Sequence, residues 1–226
     1  MLRNAPGLEC APMSAGSQVK IIANDRYHPI PEDAMEFRLV YDGELLGASR
    51  DNTRSQHKHE VRKVFHRQLK RLWQVSRQLR EWVTSNERRE IVSVREYLAS
   101  RFPHNGYHLL PLVVESLAVG CSLDILFLRY DKPGETLLQS GDIDNRLKTI
   151  FDALRIPLIG EYCGTPEPDE DPFYCLLQDD SMITHVSVTT DLLLEPTRGK
   201  NDVHLVITVK IWPIAVTIDN IAFGGN

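Results

Sequence analysis

The stretch GDIDNRLKTIFDAL, residues 141 to 154, places Asp142 and Asp144 one residue apart, followed by Asn145 and Lys148. Counted round a helix from Asp144, Lys148 and Asp152 fall near one angle with Arg155, while Leu147, Ile150, Phe151 and Leu154 face away. A helix start of this kind has a purely structural use. A short carboxylate at the first residue accepts bonds from free backbone amides and is favoured by the helix dipole, so Asp142 or Asp144 suits an N-cap. That accounts for one aspartate. It leaves the pair unexplained, as well as Gln178-Asp179-Asp180-Ser181 immediately before a second strand-forming run. Carboxylates delivered by a helix start and a strand start can converge on one hard cation, because Mg²⁺ takes oxygen ligands and retains waters and substrate phosphate oxygens. The chemistry that fits is in-line attack of a metal-activated water on a phosphodiester, with a lysine one turn from the second aspartate set against the phosphate.

The elements that must hold these groups are legible as periodicities. Glu36 to Tyr41 alternates apolar and polar residues and predicts a strand ending at an Asp42-Gly43 turn. Val61, Phe65, Leu69, Leu72, Val75 and Leu79 recur at spacings of three and four, predicting one long amphipathic helix. A second helix is expected around Val92 to Arg101, ending before Pro103, with loop over residues 105 to 111. Val119 to Tyr130 is rich in strand formers and is closed by Asp131-Lys132-Pro133-Gly134. A helix over 144 to 154 and strands over Met182 to Thr190 and Val203 to Ile211 complete the pattern. The fold class this implies is α/β (α+β), a single domain with a mixed β-sheet flanked by helices and an N-terminal basic helical element. Residues 1 to 34 read as a flexible leader, 35 to 111 as the N-terminal strand and basic helical region, 112 to 217 as the core, and 218 to 226 as a tail. Within the core, about residues 156 to 178 read as an acidic, exposed insertion that shields the site or contacts a partner.

Charge is unevenly spread. The chain has a net charge of −5, but residues 54 to 80 hold nine Lys or Arg and one acid, Glu60, so they carry +8 and the remainder −13. Residues 156 to 180 contain seven acids and no Lys or Arg. A surface helix of one sign lacks the mixed pairs that ordinary solvated helices use, and predicts contact with nucleic-acid phosphates through Arg62, Lys63, Arg67, Lys70 and Arg71. Trp73 and Trp82 lie beside the apolar stripe and are expected in the core rather than stacked on bases. His57, His59 and His66 with Glu60 lack structural-zinc spacing and instead add positive character near phosphates. Cys10, Cys121, Cys163 and Cys175 have no CxxC pairing and read as free thiols. The run Glu167 to Asp171 lacks the pattern of a calcium loop. No window approaches the ~18 apolar residues of a membrane span, and MLRNAPGLECAPMSAGSQ lacks a secretory apolar core. The expected location is cytoplasmic, with no membrane partner.

Gly141-Asp142-Ile143-Asp144-Asn145-Arg146-Leu147-Lys148, then Phe151-Asp152-Ala153-Leu154, then Asp179-Asp180-Ser181 leading into a strand, resembles the RusA-like Holliday-junction resolvase family over roughly residues 112 to 212. The resemblance implies a small dimeric endonuclease that requires Mg²⁺ or Mn²⁺ and cuts branched DNA in recombination and repair. It assigns metal coordination to Asp142, Asp144 and Asp180, keeps Asp179 as a candidate, and makes Lys148 the catalytic lysine. Asp152 takes an outer-shell or direct role, and Asn145 orients the turn or a ligand. Family members are shorter, and the interval between FDAL and the aspartate pair is lengthened here by IPLIGEYCGTPEPDEDPFYCLLQ. Two other readings stay open: a nuclease of this fold acting on RNA or in a defence or toxin setting, and a non-catalytic nucleic-acid-binding module.

Overall fold

The computed structural model describes residues 18–21, 30, 34–48, 54–81, 93–130, 141–161, 163–195, 199–215 and 220. In chain order the elements are β1 (Gln18–Ile21), β2 (Met35–Glu44), α1 (Ser55–Val75), α2 (Arg77–Glu81), α3 (Val94–Arg101), β3 (Pro103–His104), β4 (Tyr107–Val113), β5 (Val119–Arg129), α4 (Gly141–Leu154), β6 (Phe173–Leu177), β7 (Ile183–Leu192) and β8 (Asp202–Pro213). The architecture is mixed α+β, as the periodicities predict.

Two sheets carry it. The larger has the order β1-β7-β5-β8-β2, with β5 and β7 parallel and the other pairs antiparallel. The alternation in β8 decides which face is inside: Val203, Leu205, Ile207, Val209 and Ile211 are fully buried, while the residues between them are half-buried. Leu123, Ile125 and Phe127 of β5 point the same way, and Val61, Phe65, Leu69 and Trp73 of α1 with Leu147, Ile150 and Leu154 of α4 belong to the same core. Each such aliphatic or aromatic side chain contributes roughly 1.5–3 kcal/mol relative to an exposed position. Trp73 is therefore a core residue, as expected; Trp82 lies outside the described residues.

The smaller sheet, β3-β4-β6, was not legible. Residues 105 to 111 were expected as loop, yet Tyr107–Val113 is a strand whose partner β6 lies more than sixty residues later in a parallel pairing. The stretch 156 to 178, expected as an exposed insertion, ends in β6, whose five residues FYCLL are all buried between β4 and α1. Smaller departures follow the same logic of tertiary pairing. Strand β2 runs through Asp42-Gly43 because β8 pairs with it as far as Glu44 opposite Asp202. The long basic helix breaks at Ser76, whose backbone is extended, into α1 and α2. Helix α3 begins with a reciprocal capping box between Ser93 and Glu96. Residues 18–21, placed by sequence in the flexible leader, pair antiparallel with β7 as an edge strand. In the expected tail, Asn220 is buried and donates to the carbonyls of Leu117 and Ala215 at 2.6 Å each.

One close approach in the larger sheet depends on a missing side chain. Gly120 lies opposite Trp212 in the β5–β8 register, and a Cβ on Gly120 would meet the indole Cε2 at 2.7 Å. The indole is buried and cannot swing clear without opening the sheet end. Gly120→Ala is expected to lower stability by about 1–3 kcal/mol, read as a lower urea midpoint with an unchanged slope; an unchanged midpoint would show that the indole relocates freely.

Candidate functional site

Helix α4 delivers its polar face to a cleft of about 460 Å³ bounded by the start of α1, the loop after α4 and the turn before β7. Its floor is a buried ion network. Asp152 of α4 accepts from Arg155 at 2.7 Å on one carboxylate oxygen and pairs with Lys58 at 3.3 Å on the other. Glu161 pairs with Lys58 at 3.0 Å and Arg62 at 3.2 Å on one oxygen, and with Arg155 at 3.5 Å on the other. Arg62, 1% exposed, also donates to the Asp152 carbonyl at 2.8 Å. Burial alone pushes the Glu161 carboxyl up, but the Arg62 guanidinium, the Leu158 backbone N–H and Lys58 together bring it down to about 2. These five ions fix α1, α4 and the following loop relative to one another.

Above the floor stand the groups that remain unengaged. Lys148 and Asp180 are exposed, line the cleft, and have no hydrogen-bond or ion-pair partner among the described residues. Asp179 also lines it; one of its oxygens accepts from the Ser181 backbone N–H at 3.0 Å and the Ser181 hydroxyl at 2.5 Å, which lowers its pKa. Asp179 thereby caps the short 3-10 turn Asp180–Met182 and fixes where Asp180 begins. Arg54 faces the same cleft from the N-cap of α1, and Leu158, Ile159 and Gly160 form an apolar lip.

The residues expected at the site are thus partly assembled. Lys148, Asp152, Asp179 and Asp180 share the cleft; Asp144 and Asn145 are exposed on the preceding turn of α4 and are not part of its lining. Asn145 takes a structural part through its backbone: its carbonyl accepts from the Ala48 N–H at 2.8 Å and the Thr149 hydroxyl at 3.2 Å. Asp142 opens α4, and its side chain lies outside the described residues. For Asp152 an outer-shell or a direct role was open, and its surroundings suit the first. Both its oxygens are taken by cations, so it supports the cleft rather than ligating directly. Among the described residues no three His, Cys, Asp or Glu side chains gather closely enough to hold a metal ion. The oxygen chemistry of Asp179 and Asp180 nevertheless suits Mg²⁺, which is usually held by one or two carboxylates with waters and substrate phosphate completing its shell.

The basic helix is a correction. Of its five expected phosphate contacts, Arg62 is buried in the network, Lys63 pairs with Glu167 at 2.7 Å and Glu170 at 3.0 Å, and Lys70 pairs with Asp169 at 3.7 Å. The acidic stretch lies along α1 and pairs with Lys58, Arg62, Lys63 and Lys70, so much of the two opposite charge runs is matched internally. Arg67 and Arg71 stay exposed, Arg71 donating to Gln74 at 3.3 Å. The histidines do not add positive charge either. His57 accepts from the Leu46 N–H at 3.1 Å and His66 from the Tyr174 N–H at 2.9 Å, roles that need an unprotonated nitrogen. Burial lowers His59 and His66 to about 4, and His66 stacks on Phe173 at 4.2 Å. Cys121, Cys163 and Cys175 are free thiols as expected, and Cys10 lies outside the described residues.

Sequence reasoning missed Arg54, Lys58, Arg155 and Glu161. Arg155 had a signal in its helical angle; Lys58 and Glu161 meet through a contact about a hundred residues apart in the chain, which periodicity does not register, and Arg54 lies before its helix with no pattern of its own. No family model matches the chain, and neither does any curated protein or solved structure. No helix among the described residues is long and apolar enough to cross a membrane.

Replacing Glu161 by Gln leaves Arg62, Lys58 and Arg155 buried with one carboxylate among them, and is expected to cost about 3–5 kcal/mol. Because the folded pKa of Glu161 lies below its ordinary 4.5, its contribution is complete above pH 4.5 and is lost as pH falls from there toward 2. Urea unfolding of the native chain should therefore show stability falling over that window, with a shallower fall in Glu161→Gln; parallel curves would refute the assignment.

Proposed function

We propose that this chain is a metal-dependent endonuclease that hydrolyses phosphodiester bonds in branched or structured DNA at the cleft beside α4. One observation carries the reading: Lys148 and the Asp179-Asp180 pair, from elements thirty residues apart, open onto the same cleft with Lys148 and Asp180 unengaged. An ion pair used only for stability would have closed on itself, as Asp152 and Glu161 do. Asp179 and Asp180, which open onto the cleft, are the residues that would hold Mg²⁺ or Mn²⁺, with waters and substrate phosphate oxygens completing the shell. Such an ion, when bound, supplies Lewis-acid polarisation of a phosphoryl oxygen and an acidified water. Lys148 holds a non-bridging phosphate oxygen and stabilises the charge that develops on it in the transition state. Asp152 keeps Arg155 and Lys58 neutralised, so that the cleft floor stays rigid and does not compete for the phosphate. The resemblance of the GDIDNRLK, FDAL and DDS motifs supports branched DNA as the substrate and a homodimer as the working form, two clefts meeting two strands.

Cleavage of a labelled four-way junction, a flap, linear duplex and RNA with Mg²⁺ tests this. Lys148→Met and Asp180→Asn are each expected to reduce junction cleavage about 10²–10³-fold at unchanged thermal stability, since neither side chain has a partner among the described residues. Cutting by both variants at the native rate would overturn the site, preferential cutting of RNA would overturn the substrate, and binding without cutting would make the chain a nucleic-acid-binding module.

A further inference from the structure

The charges of the cleft divide into two sets. Lys58, Arg62 and Arg155 are matched by Asp152 and Glu161 beneath the surface. What is left over at the opening is two cations, Arg54 and Lys148, and two carboxylates, Asp179 and Asp180. Arg54 is exposed and, among the described residues, makes no ion pair and one side-chain hydrogen bond, from one Nη to the Gly47 carbonyl, out of its five N–H donors. That one bond also holds the guanidinium in place, because the next residue, Ala48, is itself bonded to the Asn145 carbonyl of α4 at 2.8 Å. Arg54 is therefore tethered, through Gly47 and Ala48, to the helix that carries Lys148, and both side chains line the cleft.

Resting on the nuclease reading above, we propose that Arg54 is a substrate-binding residue that grips a backbone phosphate of the nucleic acid in the cleft that Lys148 also lines. A guanidinium anchored by one donor presents the rest of its fork in a fixed plane, the geometry that accepts two phosphate oxygens at once. The charge of its surroundings agrees. Arg54 stands at the N-cap of the 21-residue α1, with no acidic residue in the first turn and no side chain capping the helix, so the positive end of the helix dipole adds to its field. Lys148 and Asp180 then act at the scissile phosphate, and Arg54 fixes the strand that carries it.

The test is binding in EDTA, where no cutting occurs, of a fluorescein-labelled four-way DNA junction to the full chain over a series of salt concentrations. Arg54→Gln is expected to raise Kd roughly tenfold and to reduce the slope of log K against log salt by about one; Arg54→Lys should restore the slope and only part of the affinity. Native Kd and slope in Arg54→Gln would overturn the proposal, and so would a weaker Kd with an unchanged slope, which marks a loss of structure rather than of a phosphate contact. If Arg54→Gln binds as the native chain does while Asp180→Asn abolishes cleavage, the grip falls and the nuclease reading stands. If the native chain binds no junction, both fall together.

Discussion

Five buried ions at the base of the cleft set the geometry on which everything above them depends. Lys58 and Arg62 come from α1, Asp152 and Arg155 from α4, and Glu161 from the loop that follows. Taking such charges from water costs several kcal/mol per ion, so the arrangement is tolerable only when complete. That demand has a structural use. Hydrophobic packing of α1 and α4 on the sheet tolerates small slides, whereas a network in which each carboxylate serves two or three cations has one satisfactory register. Lys148, one turn before Asp152 on α4, inherits its position from that register.

A second constraint is that α1 is held from both sides. Its apolar stripe packs into the core between β2 and β6, and its charged flank meets the acidic stretch that leads into β6. His59 and His66 sit at the junction of the two, stacked against Phe173 and neutral, so the helix has aromatic contacts where a charged side chain would have required another carboxylate. The interval between FDAL and the aspartate pair is thereby part of the body of the fold. It supplies Glu161, the acids that neutralise α1, and the strand β6, before the chain reaches Asp179.

Short-range patterns explain what the sequence made visible and what it concealed. The helix of α4, the strands β5, β7 and β8, the core position of Trp73 and the shared face of Lys148, Asp152 and Arg155 follow from periods of 3.6 and 2, which each segment records alone. Strands β4 and β6 were hidden because a parallel pair is decided by a partner across the fold, and because Pro111 and the acids before β6 resemble loop chemistry locally. The charge runs misled for a related reason. A helix of one sign and a loop of the other are individually what polyanion-binding and exposed segments look like, and only their contact distinguishes an internal pairing from two surfaces. Arg54 precedes its helix with no pattern of its own, and becomes notable only when the other cations of the cleft have been accounted for.

The internal pairing of α1 with the acidic stretch bears on how the molecule meets a charged partner. Each matched pair cancels at a distance, so the net −5 belongs to the outer surface and the far field is repulsive to any polyanion. Among the described residues, attraction is confined to the neighbourhood of a few unmatched cations, within one Debye length, ~10 Å at 0.1 M salt. Encounter and retention then respond to ionic strength in opposite senses. For a nucleic acid of the kind proposed, modest salt would screen the repulsion and quicken approach, whereas higher salt would loosen the local contacts, so affinity would peak at an intermediate ionic strength.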